Sequence, residues 1–62
     1  MHDVRYESHG SLCLFRLLTD AARNWVEENV NEPNYFGGAL VCEPRYAYDL
    51  VTGMREGGLR VA

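Results

Sequence analysis

The side chains best suited to metal binding are His2, Asp3 and His9, which lie within the first nine residues. A zinc site takes about four ligands, and neighbouring groups must hold each ligand in place. These three residues occupy a chain end and a predicted turn, and no helical or strand spacing would bring them together. We therefore expect no metal site.

The two cysteines, Cys13 and Cys42, are the only thiol nucleophiles. A catalytic thiol needs a base beside it and a lowered pKa, but no histidine lies near Cys42 in the sequence and Cys13 lies in an apolar run. Their spacing also excludes a CxxC redox motif. We expect both to be buried free thiols, and we expect no enzymatic activity.

The glycines are concentrated in "FGG" (36–38) and "GMREGG" (53–58). A phosphate-binding loop places its backbone N–H groups at the start of a helix. The second motif instead ends a predicted helix, and the predicted helix starts contain acidic residues. No nucleotide or other cofactor is expected. Our hypothesis for Gly37 and Gly38 is that they turn the chain into a strand, with Tyr35 and Phe36 pinning the loop.

Length and composition indicate one domain spanning residues 1–62, of which 47% are hydrophobic and 24% charged. The net charge is −3 and there is no lysine, which makes direct nucleic-acid binding an unfavoured function. No apolar run approaches the roughly 18 residues that span a bilayer, and the N-terminus lacks the features of a signal peptide. These features predict a cytoplasmic protein.

A β-hairpin is predicted at the N-terminus, with strands at 4–8 and 11–15 and a His9-Gly10 loop. This register pairs Ser8 with Ser11, Tyr6 with Cys13, and Val4 with Phe15. The face expected to lie under the helices carries Val4, Tyr6, Cys13, Phe15 and Leu17. The opposite face carries Arg5, Glu7, Leu12, Leu14 and Arg16.

The remaining pattern predicts a helix over about 20–30, a strand over 39–43, a helix from Pro44 to the glycines at 57–58, and a strand over 59–62. Thr19 and Asp20 are suitable N-caps, and Pro33 ends the first helix region. The order is ββαβαβ. We expect an α+β fold, a two-layer α/β sandwich in which two helices cover one face of a mixed sheet of about four strands.

Three segments, "LTDAARNWVEENV", "YFGGALVCEPRY" and "DLVTGMREGGL", resemble small proteins of proteobacterial phages, plasmids and genomic islands. The resemblance covers roughly residues 11–61. It implies a cytosolic protein of a mobile genetic element, and it carries over no catalytic or binding residue.

The surface carries the functional prediction. Leu12 and Leu14 are expected to be exposed side by side among charged residues, a pattern typical of a binding patch. The chain is predicted to be a non-enzymatic protein-binding module, an inhibitor of a host defence system in the version that the resemblance favours. Its partner would be another protein or a second copy of the chain. A minimal enzyme or ligand-binding domain completed by oligomerisation is the alternative. The predicted partner-binding residues are Leu12, Leu14, Arg16, Tyr35, Phe36, Tyr46 and Tyr48.

Overall fold

Two β-hairpins, each followed by a helix, make up the chain, and the computed structural model describes all 62 residues. The elements are β1 (Val4–His9), β2 (Leu12–Leu17), α1 (Asp20–Asn29), β3 (Asn34–Phe36), β4 (Ala39–Cys42) and α2 (Pro44–Glu56). The α+β class is therefore confirmed, but the order is ββαββα and the predicted ββαβαβ order is wrong.

The first hairpin turns through Gly10-Ser11, one residue later than predicted. Gly10 has a φ of 64° and Ser11 is not among the residues with positive φ, as in a type II′ turn. Tyr6 consequently pairs with Phe15 and Val4 with Leu17, so the predicted register is wrong by two residues. Because side chains alternate with a period of two, this shift leaves every residue on its predicted face.

The second hairpin contains β3, a strand that the sequence pattern did not predict. Gly37 and Gly38 have φ values of 56° and 81°, and positive φ at both central residues defines the type I′ turn that joins tightly paired strands. The turn hypothesis is confirmed. Tyr35 and Phe36 belong to a strand, however, and they do not pin a loop.

The strand order across the sheet is β1-β2-β4-β3 and all neighbouring pairs are antiparallel, so the predicted mixed sheet is wrong. The segment at 59–62 forms no full strand. Val61 makes a single parallel bridge to Val4, supported by backbone hydrogen bonds such as Tyr6 N–H to the Ala62 carbonyl. This segment therefore hydrogen-bonds along the free edge of β1. No strand pairs with the free edge of β3, at the other end of the sheet.

Both helices end and begin close to the predicted positions. The Thr19 side chain accepts a hydrogen bond from the Ala22 backbone N–H at 3.2 Å, which satisfies one of the free donors of the first turn. Pro44 occupies the start of α2, and Glu43 is its N-cap without a side-chain hydrogen bond. Neither helix is long and apolar enough to cross a membrane.

The hydrophobic core lies between the helices and the inner face of the sheet, as predicted. It contains Val4, Cys13, Phe15, Leu17, Ala22, Val26, Leu40, Ala47, Met54 and Leu59. All of its strand residues come from one face of the sheet, and both helices contribute to it. The two helices are thus committed to one side, which we call the inner face.

The indole of Trp25, on α1, packs against two glycines at the C-terminal end of α2. A Cβ atom added at Gly57 would lie 2.7 Å from the indole nitrogen, and one added at Gly53 would lie 3.1 Å from the ring. Gly53 lies in α2 and Gly57 is the C-cap of the same helix, four residues further on and therefore on the same side. Their missing side chains make the space in which the indole of α1 packs.

Candidate interaction surface

The outer face of the sheet is formed by the strand residues that point away from the helices. The pairings place them in three rows: Glu7, Leu14, Val41 and Asn34; Arg5, Arg16, Ala39 and Phe36; and His9 with Leu12. Both helices pack on the other side of the sheet, because the core cluster to which they contribute contains strand residues of the inner face only.

The apolar residues of the outer face differ in exposure. Phe36 is 73% exposed and Leu12 is 45% exposed, whereas Leu14 is only 9% exposed. The prediction of two exposed leucines is therefore confirmed for Leu12 and wrong for Leu14. Leu14 lies between Glu7 and Val41 on the neighbouring strands, and these side chains cover it.

An ion pair spans β1 and β2 on this face. Arg16 Nε donates to Glu7 Oε2 at 2.8 Å, and His9 Nε2 lies 3.0 Å from Glu7 Oε1. The hydrogen bond from Arg16, followed by the one with His9, lowers the pKa of Glu7 below its ordinary value. The pair links β1 and β2 on the outer face, beside Leu14.

Arg5 differs from Arg16 because it forms no ion pair within the chain. The two arginines are directly opposite each other across β1 and β2, a position in which like charges repel. Arg16 is neutralised by Glu7, so Arg5 is the unmatched positive charge of the outer face.

The seven predicted partner-binding residues do not form one surface. Leu12, Leu14, Arg16 and Phe36 lie on the outer face. Tyr35 pairs with Leu40 and belongs to the inner side of the edge strand, half exposed. Tyr46 and Tyr48 lie on α2 in the helical layer.

A surface cleft of about 720 Å³ opens between the end of α1, the strands β3 and β4, and the start of α2, and Leu12 and Val41 of the outer face also line it. No pattern in the sequence indicated this cleft, because its lining residues come from segments far apart in the chain. Trp25, Tyr46 and Leu50 provide apolar walls, and Glu32, Glu43 and Asp49 add carboxylates. No basic residue lines it.

The residues first considered for chemistry are held by other contacts. Asp3 accepts hydrogen bonds from the Thr19 hydroxyl at 2.7 Å and from the Arg60 backbone N–H at 2.9 Å, and these bonds lower its pKa. His9 contacts Glu7. The structure brings no three histidine, cysteine, aspartate or glutamate side chains together in a metal-binding arrangement.

The cysteines lie opposite each other on the two central strands. Cys13 is paired with Cys42 across β2 and β4, both thiols are free, and Cys13 is buried while Cys42 is partly exposed. The expectation of burial is confirmed for Cys13 alone. No signal in the sequence could show their proximity, because it depends on β4 pairing with β2.

No family model, curated protein or solved structure matches the chain.

Proposed function

We propose that this protein is a non-enzymatic protein-binding module that docks one partner protein through its outer face. The observation that supports the proposal is the pairing of an open sheet face with a 73% exposed phenylalanine, Phe36, on it. An aromatic side chain of this size on an open face has much apolar surface to gain by burial.

Size restricts where a stable interface could form. A standard interface covers about 800 Å² on each partner, which is about a fifth of the 4267 Å² surface of this protein. The molecule measures only 27 × 22 × 20 Å. An interface of that area therefore takes one whole side of the protein, and the outer face is the side formed by the sheet alone.

The chemistry of the partner follows from the residues on the face. An apolar surface on the partner would complement Phe36, Leu12 and Val41. A carboxylate at the border of that surface would pair with Arg5, which has no ion-pair partner within the chain. The Arg16–Glu7 pair is already satisfied internally. The partner surface that fits is thus an apolar patch bordered by an aspartate or glutamate.

The biological setting of the proposal comes from the resemblance to proteins of mobile elements. In that setting the partner is a host protein. The small size and the net negative charge of the chain support the more specific proposal that it inhibits a host defence system. The proposal of a binding module does not depend on this setting, because it follows from the exposed residues.

The test compares the partner affinity of a double variant of the outer face with that of a control variant on α2. Arg5→Glu combined with Phe36→Glu changes the outer face at residues that do not line the cleft, and Tyr48→Glu changes a 79% exposed residue of α2. Leu14 is unsuitable because it is buried. Each folded variant is titrated against the partner by calorimetry after the wild type has been used to isolate that partner.

We expect the outer-face variant to lose at least about tenfold in affinity and Tyr48→Glu to keep wild-type affinity. Equal affinity of the two variants would contradict docking through the outer face. Sedimentation of the wild type alone identifies the case in which the partner is a second copy.

The cleft favours a second candidate function, binding of a small ligand. Its volume of about 720 Å³ lies within the range of about 300–1,000 Å³ that ligand sites occupy, and its walls combine apolar and polar groups. Tyr46→Ala alters the cleft without touching the outer face. A small molecule that copurifies with the wild type but not with this variant would support the second function.

A further inference from the structure

Cys13 and Cys42 meet the geometric requirement for a disulfide. They are directly opposite each other on the antiparallel pair β2 and β4, with both side chains on the inner face. Opposed residues in such a pair have Cα atoms about 4.5–5.5 Å apart, and disulfides require about 4.4–6.8 Å. The Cα spacing expected for this pair therefore lies within the range that a disulfide requires.

The two thiols differ in access. Cys42 is partly exposed and lines the cleft, whereas Cys13 is 1% exposed and its sulfur lies 3.1 Å from the Tyr6 hydroxyl. A reagent in the cleft can reach Cys42 only. Cys13 is positioned behind it, where it can react with a modified Cys42 but not with the reagent itself.

We propose that Cys13 and Cys42 form a reversible disulfide across β2 and β4 when the protein meets a low-molecular-weight disulfide of the glutathione type. Both cysteines lie on the inner face, whereas the proposed docking residues lie on the outer face, although Leu12 and Val41 line the same cleft as Cys42. It makes the protein a two-electron reductant at the wall of the cleft.

The reaction proceeds in two exchange steps. The Cys42 thiolate attacks one sulfur of glutathione disulfide, which forms a mixed disulfide and releases one glutathione thiolate. The Cys13 thiolate then attacks the Cys42 sulfur, which forms the protein disulfide and releases the second glutathione. Two protein thiol protons are lost to solvent, the protein loses two electrons, and the glutathione disulfide gains them.

The environment of the pair makes the first step slow at neutral pH. Burial, followed by the neighbouring Cys13 thiol, raises the pKa of Cys42 to about 11. The titratable groups around it are Tyr6, Glu43 and, across the cleft, Glu32, Tyr46 and Asp49, and none of them is a cation that would stabilise a thiolate. The reactive form of Cys42 is therefore scarce, and its concentration increases with pH.

The test is incubation of the folded protein with glutathione disulfide, followed by mass spectrometry and non-reducing peptide mapping. We expect a product lighter by two hydrogen atoms, a peptide that links positions 13 and 42, and reversal by excess reduced glutathione. The initial rate should rise about 100-fold from pH 7 to pH 9, because the thiolate fraction increases tenfold per unit below the pKa.

Single variants separate the roles of the two cysteines. Cys13→Ser should accumulate the mixed disulfide at Cys42, and Cys42→Ser should stay unmodified while folded. A wild type that stops at the mixed disulfide, or that reacts only in urea, would overturn the proposal. Both contradicting outcomes are measured on the wild type, so the proposal can be tested even if a variant fails to fold.

Oxidation should also be visible in the stability of the wild type. A bond that closes the chain between β2 and β4 restricts the unfolded state, so the midpoint of thermal unfolding should rise by about 10 °C or more. A lower midpoint for the protein that carries the disulfide would show that the bond strains the native fold, which would contradict the geometry on which the proposal rests.

Discussion

The two faces of the sheet are built by the same strands and have opposite environments. On the inner face, Phe15 and Leu40 are at most 1% exposed under the helices. On the outer face, Phe36 and Leu12 extend from β3 and β2 with 73% and 45% of their surface exposed. Alternation along a strand thus places similar apolar side chains in a packed core on one side and in water on the other.

The difference in exposure between the two faces reflects how little apolar surface a chain of 62 residues can bury. A domain of this size has enough helix to cover one side of a four-stranded sheet, and small chains bury only about 60% of their unfolded surface. The inner face accounts for folding, because its apolar residues are removed from water within the chain. On the outer face Leu14 and Ala39 are buried as well, but Phe36 and Leu12 retain apolar surface that folding does not remove from water.

A matched pair of phenylalanine variants tests this division with the largest expected effect. Phe15→Ala removes a fully buried ring and should lower the free energy of unfolding by about 3–5 kcal/mol, a large share of the stability of a small domain. Phe36→Ala should change it by less than about 0.5 kcal/mol. Urea unfolding followed by circular dichroism measures both, and a similar loss in the two variants would remove the distinction between the faces.

Leu14 and Leu12 provide a finer comparison within the outer face. Leu14→Ala removes a side chain covered by its neighbours, so we expect a loss of about 2 kcal/mol. Leu12→Ala changes a half-exposed residue two positions away and should cost less than about 1 kcal/mol. Urea unfolding again provides the values. A greater loss for Leu12 would mean that the cover over Leu14 is absent in solution.

The placement of Phe36 on the outer face depends on the turn between β3 and β4. Alanine at Gly37 or Gly38 must adopt a positive φ, so each substitution should lower stability by about 1 kcal/mol. Asparagine at the same position tolerates positive φ better and serves as the control. Thermal unfolding that is unchanged in both alanine variants would contradict the turn.

The ionisation of Glu7 should make the free energy of unfolding depend on pH, and this is the smallest of the expected effects. Its pKa is lowered in the folded state from the ordinary value of 4.5, so its pairing stabilises the protein above that value. This contribution is lost as the pH falls through the folded pKa. Glu7→Gln should therefore flatten the stability curve below about pH 4.5. An unchanged acid limb, measured by urea unfolding at several pH values, would mean that the Arg16–Glu7 pair is not formed in solution.

Local features of the sequence were sufficient to predict both helices and the two faces. Thr19 and Pro44 mark helix starts through capping and proline geometry, and alternation along 4–8 and 11–15 gives the faces even though the register was two residues off. β3 escaped prediction because Pro33 and Asn34 are typical of loops and only three residues pair. Without β3, the chain order favoured parallel crossovers where the structure has a hairpin.

The candidate site could be predicted only in part, because it depends on contacts between residues that are far apart in the sequence. Leu12 is exposed as expected, but the face that it shares with the exposed Phe36 depends on the pairing of β4 with both β2 and β3. The burial of Leu14 arises from side chains on two neighbouring strands. The cleft and the cysteine pair likewise join residues far apart in sequence, and no local pattern encodes them.

Photo-crosslinking tests the central claim, docking through the outer face, most directly. A benzophenone derivative of phenylalanine is placed at Phe36 in one protein and at Tyr48 in another, since both positions are exposed aromatics on opposite layers. We expect one crosslinked partner from position 36 and none from position 48. A partner captured from position 48 but not from position 36 would contradict the account.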